Sequence, residues 1–149
     1  MKKSQRMKTV QAIADREEEA QAQLLARLQL KVEQQQQKLA ELRQYHKEYS
    51  QAATVDRRCN VDLNFLQENR RFLQNLSNAI QSQQFAVKDA ELAVKKQRQR
   101  WIQARSQSMS RNALTERYLD AERREQDRIE QKVMDDMNNQ RFVWQHSHA

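Results

Sequence analysis

The sequence predicts an all-α fold, a two-helix antiparallel coiled-coil hairpin whose second helix is longer than its first. Three observations carry that reading. The 149 residues include no glycine and no proline, so nothing in the chain breaks a helix outright. Apolar residues recur at alternating steps of three and four along two long stretches, the rhythm of a coiled-coil seam. Between those stretches the rhythm fails once, near residue 58. Composition agrees: 38% of the residues are hydrophobic and 32% charged, a balance suited to long solvent-exposed helices and not to an ordinary globular core. A disordered chain of this polarity usually carries Pro and Gly, and strong helix formers at a 3.5-residue rhythm decide against it.

Helix one is expected over about residues 4–53. From Leu25 its seam reads Leu25, Leu28, Val32, Gln35, Leu39, Leu42, His46 and Tyr49. Upstream, Val10, Ile13, Ala20 and Leu24 continue it with a slip to steps of four between Ala20 and Val32, which predicts a locally relaxed supercoil. The segment AATVDRRCNVDLN then breaks the pattern with β-branched residues, clustered charge, and Asn and Asp suited to turns and caps. The turn is expected at about 54–62, with Asn60 or Asp62 capping the second helix.

Helix two, about 63–142, has the cleaner pattern. Leu66, Leu73, Ile80, Val87, Val94 and Trp101 recur every seven residues, with Asn69, Leu76, Gln83, Ala90, Gln97 and Ala104 between them. Past Ser108 the rhythm loosens through Leu114, Tyr118, Ala121, Ile129, Val133 and Met137. A short connection implies antiparallel neighbours in one elongated hairpin spanning residues 1–149. A fold at residue 58 sets Tyr49 near Leu66, Leu42 near Leu73 and Leu25 near Ala90. On that register residues beyond about 112 have no partner within the hairpin.

Around residues 72–83, FLQNLSNAIQSQ, the apolar surface is wider than one seam needs. Phe65, Phe72, Ala79, Ala86 and Ala93 form a second heptad line beside the first, and the combined stripe is roughly 140° wide. Tyr45 on helix one is surplus at the same level. A third helix, a homodimer or rings lying over the seam would account for it, and so would a docking face for another protein. The segment reads as core on one edge and surface on the other.

The residues offer no catalytic constellation. There is no Gly-rich phosphate loop and no metal-ligand spacing; His46 stands alone, and His146 with His148 sits near the chain end. Cys59, the one cysteine, lies beside Arg57 and Arg58 without a base, and fits a reducing compartment. No enzyme activity, metal or cofactor is expected, and no run approaches the length of a membrane span. The net charge of +7 crowds into Lys2, Lys3, Arg6 and Lys8, then into Lys95, Lys96, Arg98, Arg100, Arg105, Arg111 and Arg117. Such a stretch could track phosphates, but Trp101 falls on the seam and the chain turns where a basic zipper would continue. Nucleic acid is therefore not the expected partner.

The ordered succession of QYHKEY (44–49), FLQNLSNAIQ (72–81) and KKQRQRWIQARSQ (95–107), followed by a Glu-Arg-rich tail, resembles the FliJ family across nearly the whole chain. These are small components of the bacterial flagellar type III export apparatus. The resemblance implies a stalk similar to the γ subunit of rotary ATPases, monomeric alone, which inserts in the hexameric export ATPase and promotes ring assembly. It also implies contact with the cytoplasmic domain of the membrane export-gate protein, and with export chaperones. The place implied is cytoplasmic, peripheral to the inner face of the membrane at the flagellar base.

By position, the resemblance assigns Phe72, Leu76, Ala79 and Gln83 to the gate contact, and matches Leu42, Tyr45 and Tyr49 on helix one. Gln83 stands where a His occurs in some relatives, so a contact that needs an imidazole is not carried over. The basic residues Lys2, Lys3, Arg6, Lys8, Arg105, Arg111 and Arg117 are expected near the ATPase ring. Two other readings share the helical pattern: the equivalent stalk of a virulence-type secretion system, and a generic homodimeric coiled-coil adaptor.

Overall fold

The structure, a computed structural model, describes residues 2–56 and 62–147. Two α-helices pack against each other: α1, Lys3–Asp56, and the longer α2, Leu63–Ser147. The start of each is set by a backbone carbonyl that precedes it. The Lys2 carbonyl accepts from the amides of Gln5 (3.1 Å) and Arg6 (3.3 Å), and the Asp62 carbonyl accepts from Leu66 (3.2 Å). Asp62 thus takes the N-cap position for which it was one of two candidates. The other, Asn60, lies outside the described residues, as do Cys59, Arg57, Arg58, His148 and most of the turn.

At its far end α2 runs to Ser147, five residues past the expected 142. Terminal carbonyls there find side-chain partners: Phe142 O lies 3.0 Å from His146 Nδ1, and Trp144 O accepts from the Ser147 hydroxyl at 3.1 Å. The imidazole also packs on the Phe142 ring, centroids 3.9 Å apart.

The chain divides into two compact units, Glu19–Ile102 and Met1–Glu18 with Gln103–Ala149. In the unit Glu19–Ile102, Leu25, Leu39, Val87 and Ala90 are buried. Two glutamine pairs cross between its helices. Gln83 donates its amide to the Gln35 backbone carbonyl (2.9 Å) and side-chain oxygen (2.6 Å), and Gln97 donates likewise to Gln21. Gln97 is almost fully buried, so these bonds satisfy an amide that water cannot reach.

These contacts correct the expected register. Gln35 meets Gln83 where a fold at residue 58 sets Ile80, and Tyr49 meets Phe72 where it sets Leu66. The reason is positional: α1 persists to Asp56 and α2 begins only at Leu63, so the reversal is centred further along the chain.

In the unit made by the chain ends, Ala14 and Ala104 are buried with the polar residues Ser4 and Thr115. Asp15 accepts from Ser108, Gln11 donates to Asn112 at 2.9 Å, and Ser4 meets Glu122. Pairing therefore reaches Glu122, ten residues past the expected limit of 112; beyond it, Gln126 to Ser147 are exposed throughout. The exposed set includes Ile129, Val133 and Met137, through which the loosened rhythm runs.

The upstream seam of α1 also differs from expectation. Covered positions step through Ser4, Met7, Gln11, Ala14, Glu18 and Gln21 to Leu25 without a slip, while Ile13 is 63% exposed and Ala20 is exposed. Hydrogen-bonding side chains occupy the seam here, and a pattern drawn through apolar residues follows a neighbouring face.

Candidate functional site

Within the unit Glu19–Ile102, the wide apolar stripe resolves into a seam edge and an outer edge. Leu42 on α1 and Leu73, Leu76 and Ile80 on α2 are half-buried at seam positions. Phe72 lies one position off the seam. Its ring rests on Tyr49 of α1, centroids 4.6 Å apart and planes tilted by 55°, a geometry that favours an aromatic pair. The ring nonetheless keeps 41% of its surface exposed, Tyr49 keeps 44% and Tyr45 54%. Ala79 is exposed. Ser77 Oγ lies 3.3 Å from His46 Nε2, fixing the two helices to each other at the same level.

The structure thus brings Tyr49 and Phe72 into contact, while Leu42 and Leu76 are half-buried at seam positions and Tyr45 and Ala79 are exposed. Gln83 is half-buried at a seam position. Its amide is committed to Gln35, which makes it part of the interhelical contact. What the face offers is shape and apolar area: two rings on a preformed helical pair whose ordering cost is already met, flanked by small Ala79.

The seven basic residues expected at a partner ring all belong to the unit formed by the chain ends. Lys3 Nζ stands 6.0 Å from the Tyr118 ring centroid. Arg111 is half-buried at a seam position, and its carbonyl accepts from Thr115 Oγ1 at 2.8 Å. Lys2, Arg6, Lys8, Arg105 and Arg117 are exposed.

A feature absent from the expected set is Glu122. Its carboxylate accepts from the Ser4 hydroxyl (2.6 Å) and the Ser4 amide (3.2 Å), capping the first turn of α1 from the other helix. The Ser4 hydroxyl is the main cause holding the Glu122 carboxyl below its usual range; burial opposes this, while the Ser4 amide, Lys2 and Lys8 add to it. The signal was present in the sequence. Continuing the three-four steps from Ala104 through Ser108, Arg111, Thr115 and Tyr118 arrives at Glu122, but five mostly polar residues conceal the line.

Trp101 is half-buried at its seam position, consistent with a packing role. Among the described residues no three His, Cys, Asp or Glu side chains gather as metal ligands, and no helix is long and apolar enough to cross a membrane.

A family model described as "Flagellar FliJ protein" matches residues 2–147, nearly the entire chain. No curated protein and no solved structure matches it.

Proposed function

From the premise that the chain belongs to the flagellar FliJ family, a component of flagellar type III protein export, we propose that it links the export ATPase to the membrane export gate. The unit of the chain ends, with Lys2, Lys3, Arg6, Lys8, Arg105, Arg111 and Arg117, enters the hexameric ATPase and favours its assembled ring. The face around Phe72, with Leu76, Ala79, Leu42, Tyr45 and Tyr49, docks on the cytoplasmic domain of the gate protein. Gln83 acts from behind that face by holding Gln35.

The observation that carries this reading is the Tyr49–Phe72 pair, two rings in contact across the helices and each more than two-fifths exposed. A residue serving the seam alone would be covered, and an exposed apolar cluster on a preformed pair suits a partner surface. Coupling arises because ring and gate each bind the chain differently in their different conformations, and that difference shifts their populations. At the membrane, the chain is held peripherally through the gate.

The test is co-purification of the full chain with the gate domain and with the ATPase, wild type beside Phe72→Ala. The expected result is loss of the gate with the ATPase and the helical circular dichroism retained. Retention of both partners by Phe72→Ala would place the gate contact elsewhere.

A further inference from the structure

Helix α2 carries another heptad line on the side away from α1. Phe85, Lys88, Leu92, Lys95, Gln99 and Ile102 follow one another at steps of three and four, and all six are exposed. At 100° per residue they span a stripe of about 100°, centred roughly 150° from the seam residues Val87, Ala90, Val94 and Gln97. Phe85 is 59% exposed, Leu92 54% and Ile102 52%. Scattered exposed apolar residues need no account, but these three share one row about 25 Å long at coiled-coil spacing. The hairpin leaves the three apolar side chains of that row more than half exposed.

Charge indicates what covers it. Lys88 and Lys95 lie within the row, and Lys88 Nζ stands 6.0 Å from the Phe85 ring centroid. Asp89 and Glu91 flank the first heptad, Lys96 and Arg98 the second, with Arg100 close by. Glu91 already accepts from the Gln36 amide of α1 at 3.5 Å, and Glu33 of α1 shares a shallow groove with Lys95 and Arg98. Over Phe85–Ile102 five basic residues (Lys88, Lys95, Lys96, Arg98, Arg100) outnumber two acidic ones (Asp89, Glu91), with the excess toward the Ile102 end. Charges flanking an apolar line choose the partner and its direction in paired helices.

We propose that this outer row docks an amphipathic helix of another protein, its apolar residues at heptad spacing and its edges rich in Asp and Glu. The acidic end of that helix lies against Lys95, Lys96 and Arg98, and its apolar residues cover Phe85, Leu92 and Ile102. The row is separate from the Phe72 face and does not rest on the export-gate assignment. Both could be occupied at once.

Fluorescence anisotropy with the full chain tests it, using two labelled three-heptad peptides with the same leucine seam. One carries Glu at all flanking positions, the other Lys. The Glu peptide should bind at least tenfold more tightly than the Lys peptide. Leu92→Gln with Ile102→Gln should weaken it by roughly tenfold or more, the scale of uncovering apolar side chains. Leu30→Gln, at an exposed position on α1, should leave it unchanged. Lys95→Glu with Arg98→Glu should reverse the preference between peptides, and this pair changes only exposed positions. Absence of saturable binding, equal binding of both peptides, or binding that survives both double variants would overturn the proposal. Light scattering that shows a dimer of the chain alone, dissolved by the apolar double variant, would overturn it in favour of a second copy as occupant.

Discussion

Replacing Gln97 with alanine probes whether the polar seam holds the helices together or merely lies between them. Gln97 is 2% exposed, and its amide donates to two oxygens of Gln21, the backbone carbonyl at 3.1 Å among them. Alanine removes two interhelical hydrogen bonds, each worth about 1 kcal/mol net, and a buried methylene worth about 0.8 kcal/mol. The expected loss is therefore about 2–3 kcal/mol of unfolding free energy. Leucine loses the same bonds but gains apolar burial of about 1.5–3 kcal/mol, so Gln97→Leu should fall within about 1 kcal/mol of wild type. Urea unfolding followed by helical circular dichroism measures all three, compared at constant slope. Gln99→Ala, at an exposed position two residues on, should stay within about 0.5 kcal/mol of wild type. If Gln97→Ala is no worse than Gln99→Ala, water satisfies the amide equally well and the reasoning fails. If leucine is worse than alanine, the position is too tight for a branched side chain and the packing argument fails.

Three other outcomes follow from the same contacts. Glu122 has its carboxyl lowered in the folded state by Ser4; its contribution is therefore complete above the ordinary glutamate range, about 4.3, and is lost as pH falls through the depressed value. Protection of the amides of residues 4–6, relative to their intrinsic exchange rate at each pH, should fall in that acid window in wild type, and at neutral pH in Ser4→Ala. Phe72→Ala removes a ring that is 41% exposed, so it should cost about 1–2 kcal/mol in urea, less than the 3–5 kcal/mol typical of a buried Phe, with helicity kept. Truncation after Arg128 removes only residues exposed throughout their described length, so helical signal should fall while the urea midpoint of the remainder stays unchanged.

How much of this was legible in the sequence depended on whether the seam residues were apolar. Along α2 from Leu66 to Ala104 the heptads could be read directly, because Leu, Ile, Val and Trp mark alternate seam positions and the covered residues follow them. Along α1 before Leu25 the true line runs through Met7, Gln11, Glu18 and Gln21, and periodicity drawn from Val10, Ile13, Ala20 and Leu24 strays to the seam's edge, where Ile13 and Ala20 are exposed. The same concealment hid Thr115 and Glu122, while a turn placed too early shortened the expected pairing by ten residues. A helix–helix contact constrains geometry at each seam position, whereas hydrophobicity is only one way to satisfy it; amide pairs and a trans cap are others.

The candidate face divides along similar lines. Surplus apolar residues at Phe72 and Tyr45 were visible as a stripe too wide for two helices. That Phe72 stacks on Tyr49 depends on a register set by the turn, which the sequence placed too early. Gln83 could not be assigned by position alone, since an amide at a seam site serves a partner helix as readily as another protein.

The link between ring and gate is tested most directly by placing a photo-crosslinking amino acid at one exposed position in each unit, Ala79 and Arg117. Each full-length chain is irradiated with the export ATPase and the gate domain together. The account predicts that position 79 captures the gate domain and position 117 the ATPase. Capture of the ATPase from position 79, or of the gate from position 117, would contradict it.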